Sequence, residues 1–521
     1  VHYKYSHENV EWADKCGLGV NPSKTELVLF TRKYKVPVLI PPRLCGETLV
    51  FSNNAKYLGL ILDRKLDWKL SIEDRVKKAT VALYTCRKAI GLKWGMTPYI
   101  VRWLYTAIIR PIMLYGVVVW WPALDRRTCL NKLSRVQRMA ELCITGGLRT
   151  TPGEALDTVL DLLPVDLMGK KVATLAALRM REARLWKASA VGHSGILMRL
   201  PQLPERTDYC IPSDHLSTPF QVSIPSREDW EMGEPGPANA VHFYTDGSKL
   251  DGRVGGGVYC SELEISHCFR LPDHCSVFQA EIEAIKEAIS IVSKLRLDTH
   301  LVCVFSDSQA AIKALGSISS NSATVKDCRR SLHEIAEQLD LFLIWVPGHR
   351  DIEGNDAADE LARQGTTIPL LSEREQVAMP LATCRLLTHE LFEQNANRRW
   401  QQTVSCKVSR LICSYRSKKR SAELYRLSRA QCFAVTRAIT GHWQIGTHAS
   451  RLSIPHNDFC RSCRDEEEEE SVLHFFCHCP ALGNRRLRIL GAAFLADISG
   501  LSEIKPGTLS KYIQATGWDC P

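Results

Sequence analysis

What this 521-residue sequence lacks narrows the possibilities before any motif is read. It has no long hydrophobic run: the longest uncharged apolar stretch, 111–124, lies between Arg110 and Asp125 and falls short of the ~18–20 residues that span a bilayer. No membrane segment, and no membrane partner, is expected. No apolar signal-like segment follows Val1-His2-Tyr3, so the 20 cysteines are expected to be reduced thiols, with room for one metal site, rather than a disulfide framework. Internal repeats are absent. Strong compositional bias is absent too, since 45% hydrophobic and 24% charged residues disfavour wholesale disorder, a collagen-like repeat or a coiled-coil rod. The chain opens on Val1 rather than Met and is expected to be a piece of something longer.

What is present is a modest basic excess. Against 57 Asp+Glu stand 67 Lys+Arg, a net charge of +10, which favours an anionic partner, nucleic acid first. At ~150 residues per domain the length suggests roughly three or four units. Short β-like runs at 26–30 and 56–62 precede a helical region. Within 68–91, Ile72, Val76, Ala79, Leu83, Cys86 and Ile90 recur mostly at steps of three and four, while Arg75, Lys77, Lys78, Arg87 and Lys88 take other faces. Such a helix packs on one side and presents cations on others. Further apolar helical segments at 99–121 and 128–144 complete one expected bundle, and 189–240, rich in Pro, Gly and Ser, reads as a linker. From 241 to 366 the pattern changes. Runs at 241–245, 255–260 and 265–271 read as an antiparallel meander, followed by a helix from Val277 and by buried strands at 301–305 and 341–346 separated by helices, in the order βββαβαβα.

Four carboxylates stand at chemically useful places in that region. Asp246 follows a strand in Thr245-Asp-Gly-Ser248, where the glycine allows a tight turn. Asp307 follows the apolar strand 301–305, and strand ends are where sites assemble in sheets flanked by helices. Glu281 lies on the apolar stripe of its helix with Ala284, Ile285 and Ala288, whereas Glu283 lies off it. Asp359 sits at a helix start, one turn after Asp356. Inward-facing carboxylates repel one another and raise each other's pKa unless a cation neutralises them, and hard oxygen ligands suit Mg²⁺ or Mn²⁺. Two such ions can activate a water and stabilise the leaving oxygen of a phosphodiester. His349, in Pro347-Gly-His-Arg350, is placed to shuttle protons.

Tyr244-Thr-Asp-Gly-Ser248, Gln279-Ala-Glu281, Phe305-Ser-Asp-Ser308, Trp345-Val-Pro-Gly-His349, Gly354-Asn355 and Ala358-Asp-Glu-Leu-Ala362 together resemble the ribonuclease H domain. The resemblance implies metal-dependent endonucleolytic cleavage of the RNA strand of an RNA–DNA hybrid. It further implies two Mg²⁺, with Mn²⁺ as a substitute, held by Asp246, Glu281, Asp307 and Asp359, with His349 as a mobile helper and Asn355 as a nucleic-acid contact. Asp356 is the alternative to Asp359, which is preferred because it precedes a Glu-Leu-Ala run as in the family. The hybrid would be selected by its 2′-hydroxyls and groove shape.

The flanks carry further resemblances. Gly19-Val-Asn-Pro-Ser-Lys-Thr25, Lys56-Tyr-Leu-Gly59 with Asp63, and Arg110-Pro-Ile-Met-Leu-Tyr-Gly116 through Trp121 resemble the end of a reverse transcriptase from non-LTR retrotransposons of the jockey, I and R1 group. In that family a catalytic Tyr-Ala-Asp-Asp motif precedes the first of these, and the chain contains no such motif, so polymerase activity is not expected. The remaining palm and thumb would grip DNA and RNA through Lys24, Lys56, Arg75, Lys77 and Lys78. Near the C-terminus, Cys460-x2-Cys463-x10-His474-x4-Cys479 has the spacing of a tetrahedral Zn²⁺ site, with Cys477 and His478 as competing ligands. The acidic run 465–470 inside it is expected to be a solvated loop.

The expected architecture is α/β and multidomain. Residues 1–165 form a partial reverse transcriptase (end of palm, connection and helical thumb), and 166–239 a helical connection and Pro/Gly-rich linker. Residues 240–368 form a ribonuclease H domain with a mixed five-stranded sheet and flanking helices. A basic helical connector (369–450), a CCHC zinc module (451–485) and a tail (486–521) follow. A rival from another class is a non-catalytic nucleic-acid-binding remnant, against which the complete carboxylate set counts. A different nuclease on the same fold, an integrase or transposase, lacks the Pro-Gly-His loop. The sequence names no protein partner.

Overall fold

In a computed structural model, the described residues are 4–518 apart from 36–38, 92–93, 191, 215–217, 234, 297–298, 349–351, 375 and 457–458. The chain divides into two compact units, one made of 1–173 and 391–521, the other of 174–390.

The second unit is built on a six-stranded mixed sheet. Its strands are β1 (Gln221–Ser223), β2 (Val241–Leu250), β3 (Arg253–Cys260), β4 (Ile265–Leu271), β5 (Leu301–Ser306) and β6 (Asp340–Trp345), in the order β4-β3-β2-β5-β6-β1. β2, β3 and β4 form the antiparallel meander, and β5 and β6 add in parallel. The expected sheet had five strands. The sixth comes from the Pro/Gly-rich stretch 189–240, a strand and not only a linker, where Gln221, Val222 and Ser223 pair in parallel with Phe342, Leu343 and Ile344. A three-residue strand between proline-containing turns leaves too little alternation to be read from sequence. The same stretch places Trp230 edge-on against Phe305, where its indole N–H donates to Trp345 O.

Four helices flank the sheet: α1 (Val277–Val292), α2 (Gln309–Gly316), α3 (Ala323–Ala336) and α4 (Glu353–Gly365). The main core lies between the sheet and α1 to α3, with Phe243, Val258, Ile285, Val304, Ile312 and Leu332 excluded from solvent. A smaller core on the opposite face gathers Tyr244, Cys303, Phe305, Ile344 and Ala358. Between α2 and α3, the strand Ser319–Ser322 pairs instead with Tyr209–Asp214 in a separate ribbon.

The other unit is mainly helical. Its helix Lys69–Arg87 buries Ile72, Ala79 and Leu83, and Arg127–Thr145 buries Leu133, Val136 and Ala140. Its two chain segments are tied by arginines, of which Arg429 is buried and Arg399 exposed. Arg429 donates to the carbonyls of Gly91, Met96 and Cys143, and Arg399 makes a bidentate pair with Asp166 at 2.8 and 2.7 Å. Among the described residues no single helix is long and apolar enough to cross a membrane, and the bent pair Pro98–Met113 and Val117–Asp125 that passes on length and composition buries Tyr105, Met113, Trp120 and Trp121 within the protein.

Candidate active site and metal centres

Three carboxylates from three elements converge in the sheet unit. One oxygen each from Asp246, Glu281 and Asp307 lie within 4.8 Å of one another. Asp246 is inside β2, opposite Gly257, and not beyond its end as the sequence pattern suggested, because the strand continues to Leu250. Gly247 therefore serves close packing rather than a turn: a Cβ there would lie 2.5 Å from the backbone nitrogen of Glu281 and 2.8 Å from Ala280. Having only hydrogen at this position lets the first turns of α1 approach the strand and carry Glu281 to Asp246. On β3, a Cβ at Gly257 would sit 2.3 Å from the Ala358 carbonyl, so α4 approaches as closely.

The helix start is fixed by sequence-local chemistry. Ser276 caps α1 in a capping box with Gln279, and the Gln279 amide also donates to Thr324 Oγ1 and to the Ala378 carbonyl at 3.2 and 3.0 Å. Ser306 Oγ donates to Glu281 Oε2 at 3.4 Å, and Thr245 Oγ1 donates to the Phe305 carbonyl at 2.9 Å, locking β2 to β5. Asp307 is half-buried just past β5, its carbonyl accepting the Trp345 indole N–H at 3.0 Å.

Burial, then the charges of Asp307 and Asp359, push the Asp246 carboxyl up to about 7. Burial, then the charges of Asp246 and Asp307, raise Glu281 well above the usual carboxylate range. Three oxygens so close, strained by mutual repulsion, are the donor set that a hard divalent cation fits.

The other expected site residues are placed less uniformly. Asp359 stands outside the 4.8 Å set, its Oδ2 held 2.6 Å from Arg363 one turn on, though its charge reaches Asp246. Asp356 is exposed. His349 lies outside the described residues. Asn355 is buried, with Oδ1 lacking a partner among the described residues, because the start of α4 packs on Tyr244: a Cβ at Gly354 would meet that ring at 2.3 Å. Glu283 is buried too, contrary to the stripe reading, and pairs with Lys286 at 3.5 Å.

In the helical unit, Cys460, Cys463, His474 and Cys479 bring one ligand atom each within 4.8 Å of the others. Three sulfurs and one nitrogen are a donor set that fits Zn²⁺. Cys477 and His478 are not part of the group. The acidic run is not simply a solvated loop. Glu470 is buried, accepting from the amides of Gly446 and Arg461 and from the Arg461 guanidinium, and Glu468 reaches His474. Arg486, fully buried, donates to the carbonyls of Cys479, Phe475 and Ala493. No spacing rule pointed to Glu468, Glu470 or Arg486, since each acts through a chain reversal.

Of the basic residues expected to contact phosphate, Lys24, Lys56, Lys77 and Lys78 are exposed, with Lys78 paired to Asp74 at 2.7 Å. Arg75 is not an open contact. It is buried, lies 4.8 Å over the Tyr115 ring and donates to the Gly59 carbonyl, because position 75 falls on the packed side of its helix three residues after Ile72.

Residues 238–367 match the RNase H family. The chain is 30% identical over 155 residues to "Probable RNA-directed DNA polymerase from transposon BS" of Drosophila melanogaster, covering 30% of this chain and 17% of that protein. It is 32% identical over 151 residues to "Probable RNA-directed DNA polymerase from transposon X-element" of the same organism, covering 28% and 15%. To "Retrovirus-related Pol polyprotein from type-1 retrotransposable element R1" of Nasonia vitripennis it is 24% identical over 164 residues, covering 30% and 48%. The matched region thus spans under a fifth of the two Drosophila relatives and under half of the wasp one. The chain carries an RNase H domain and is homologous to RNA-directed DNA polymerase and Pol polyproteins of non-LTR retrotransposons.

Proposed function

We propose that the chain hydrolyses the RNA strand of RNA–DNA hybrids, as the ribonuclease H part of a retrotransposon polymerase polyprotein. The observation that carries this reading is the convergence of Asp246, Glu281 and Asp307, supported by the family match over 238–367. These carboxylates, with Asp359 beside them, would hold Mg²⁺ or Mn²⁺, which when bound supplies charge neutralisation and an acidified water at the phosphodiester. The chain's own residues do the positioning. Gly247 sets the distance between strand and helix, Ser306 and the Gly247 amide hydrogen-bond Glu281, and His349 is assigned the proton shuttle. Exposed Lys24, Lys56, Lys77 and Lys78 are assigned phosphate contacts along DNA and RNA. Cys460, Cys463, His474 and Cys479 are assigned a structural Zn²⁺. DNA synthesis is not assigned, since the chain contains no Tyr-Ala-Asp-Asp motif.

The test is a labelled RNA–DNA hybrid incubated with the full chain and Mg²⁺, beside Asp307→Asn. Cleavage of RNA alone, reduced at least ~100-fold in the variant, is expected, in line with removing a preorganised electrostatic group from an active site. Intact RNA in both samples, with hybrid still bound, would establish the non-catalytic binding remnant instead.

A further inference from the structure

The run Asp465-Glu-Glu-Glu-Glu-Glu470 looks uniform in sequence, yet its members have different tasks in the fold. Glu470 is committed to Arg461. Glu467 is exposed, and its amide turns back to Asp465 Oδ1. Glu468 alone of the run is hydrogen-bonded to a residue of the Cys/His cluster through its side chain: Oε2 lies 3.1 Å from His474 Nδ1. The same residue's carbonyl accepts the Cys460 amide N–H at 3.1 Å.

The two nitrogens of His474 therefore face different neighbours. Nε2 points to Cys463 Sγ at 3.4 Å, inside the ligand cluster, while Nδ1 points outward to Glu468. The backbone of His474 is pinned separately, its N–H donating to Ser471 Oγ at 3.0 Å. An imidazole that ligates through Nε2 must carry its proton on Nδ1, and a carboxylate accepting that proton fixes both tautomer and ring plane.

We infer that Glu468 is the positioning residue of the Cys/His metal site: its carboxylate selects the Nε2-ligating form of His474, and its carbonyl holds the loop bearing Cys460 in register. The inference rests on the zinc reading given above. Charge weighs against a carboxylate here, because three thiolates around a divalent ion already leave the site negative. What Glu468 contributes must then come from orientation, and its position suits that, since its side chain is 49% exposed and water screens the repulsion while the hydrogen bond remains. Removing such an outer partner of a metal-bound histidine weakens metal affinity by about 10–100-fold.

The full chain is titrated with Zn²⁺ against a chromophoric chelator, and with Co²⁺ read by its absorption, as wild type, Glu468→Ala, Glu468→Gln and the neighbouring Glu466→Ala. Glu466→Ala should match wild type. Glu468→Ala should bind about 10–100-fold more weakly, with Co²⁺ bands altered in position or width as the ring loses its fixed orientation. Glu468→Gln, whose amide oxygen still accepts from Nδ1, should recover most of the lost affinity; a purely electrostatic or structural role would not give that rescue. Wild-type affinity and spectrum in Glu468→Ala would overturn the inference while leaving the zinc reading intact. A wild-type chain that takes up neither metal overturns both.

Discussion

The carboxylate cluster and the cysteine/histidine cluster solve the same problem in opposite ways. Asp246, Glu281 and Asp307 come from a strand interior, a helix and a strand end, so only the packed sheet brings them together. Their burial is electrostatically strained, with Asp246 pushed up to about 7 and Glu281 raised well above the usual carboxylate range. Cys460, Cys463, His474 and Cys479 lie close in sequence, and burial, which raises Cys460 and takes Cys479 up to about 12, keeps those two thiols neutral at ordinary pH. Neutral thiols carry no mutual repulsion before a metal displaces their protons. A hard-oxygen site must therefore be held by the fold against its own charge, whereas a thiol site can be gathered by local loops and a few buried clasps such as Arg486 and Glu470.

The largest expected effect tests the local site. A structural Zn²⁺ contributes on the order of 10 kcal/mol to a small module, so Cys460→Ser, or chelation, should expose the region around 451–485 to protease. Hybrid cleavage by the sheet unit should remain, and loss of both properties together would break the contrast. Next, Gly247→Ala forces a Cβ against the backbone of Glu281, and backbone cannot rotate away as a side chain does. A stability loss of about 1–3 kcal/mol is expected from overpacking, with a fall in cleavage of about 100-fold from sub-ångström displacement of Glu281. Unchanged cleavage would mean that the close approach does not set the site.

A third prediction separates burial strain from metal binding. Glu141, almost fully buried, is raised well above its usual range by burial and then by the charge of Asp157, yet this pair belongs to neither ligand cluster. A carboxyl raised in the folded state stabilises fully below its unfolded pKa, and that contribution is lost as pH rises toward and through the folded value. The melting temperature should fall as pH rises from about 4.5, and Glu141→Gln should flatten this part of the profile. Mg²⁺ should leave it unchanged; restoration of stability by Mg²⁺ in the wild type but not in Glu141→Gln would make the pair a third metal site. The smallest effect concerns phosphate contacts. Lys77→Ala should lower the salt-dependence slope of hybrid binding by about 0.7–0.9, while Arg75→Ala, whose guanidinium is engaged with Gly59 and Tyr115, should lower stability and leave the slope unchanged.

Much of the sheet unit was legible because its strands are long and its helices strongly periodic: the meander, α1 and the buried strands β5 and β6 follow the pattern. Strand β1 was not, because a three-residue strand gains its identity only from the edge of β6 that it completes. In sequence Gly247 looks like a turn residue, because a glycine beside a strand-end pattern has the same appearance whether it bends the chain or admits a helix. Charge alone groups Arg75 with Lys77 and Lys78, although the helical period places it near Ile72 on the packed face.

By itself the sequence determined which residue types were available and in what order: the carboxylates at 246, 281, 307 and 359, the Cys/His spacing at 460–479, and the absence of a Tyr-Ala-Asp-Asp motif. Only the tertiary structure decided that three of the four carboxylates share one 4.8 Å cluster while Asp359 stays outside it, and that one glutamate in a run of five reaches a histidine of the Cys/His cluster. The reason is physical. Helical and strand periods are local and survive in one dimension, as does the one-turn pairing of Asp359 with Arg363, but whether carboxylates from different elements meet depends on how closely two backbones can approach, and that is set by the atoms packed between them.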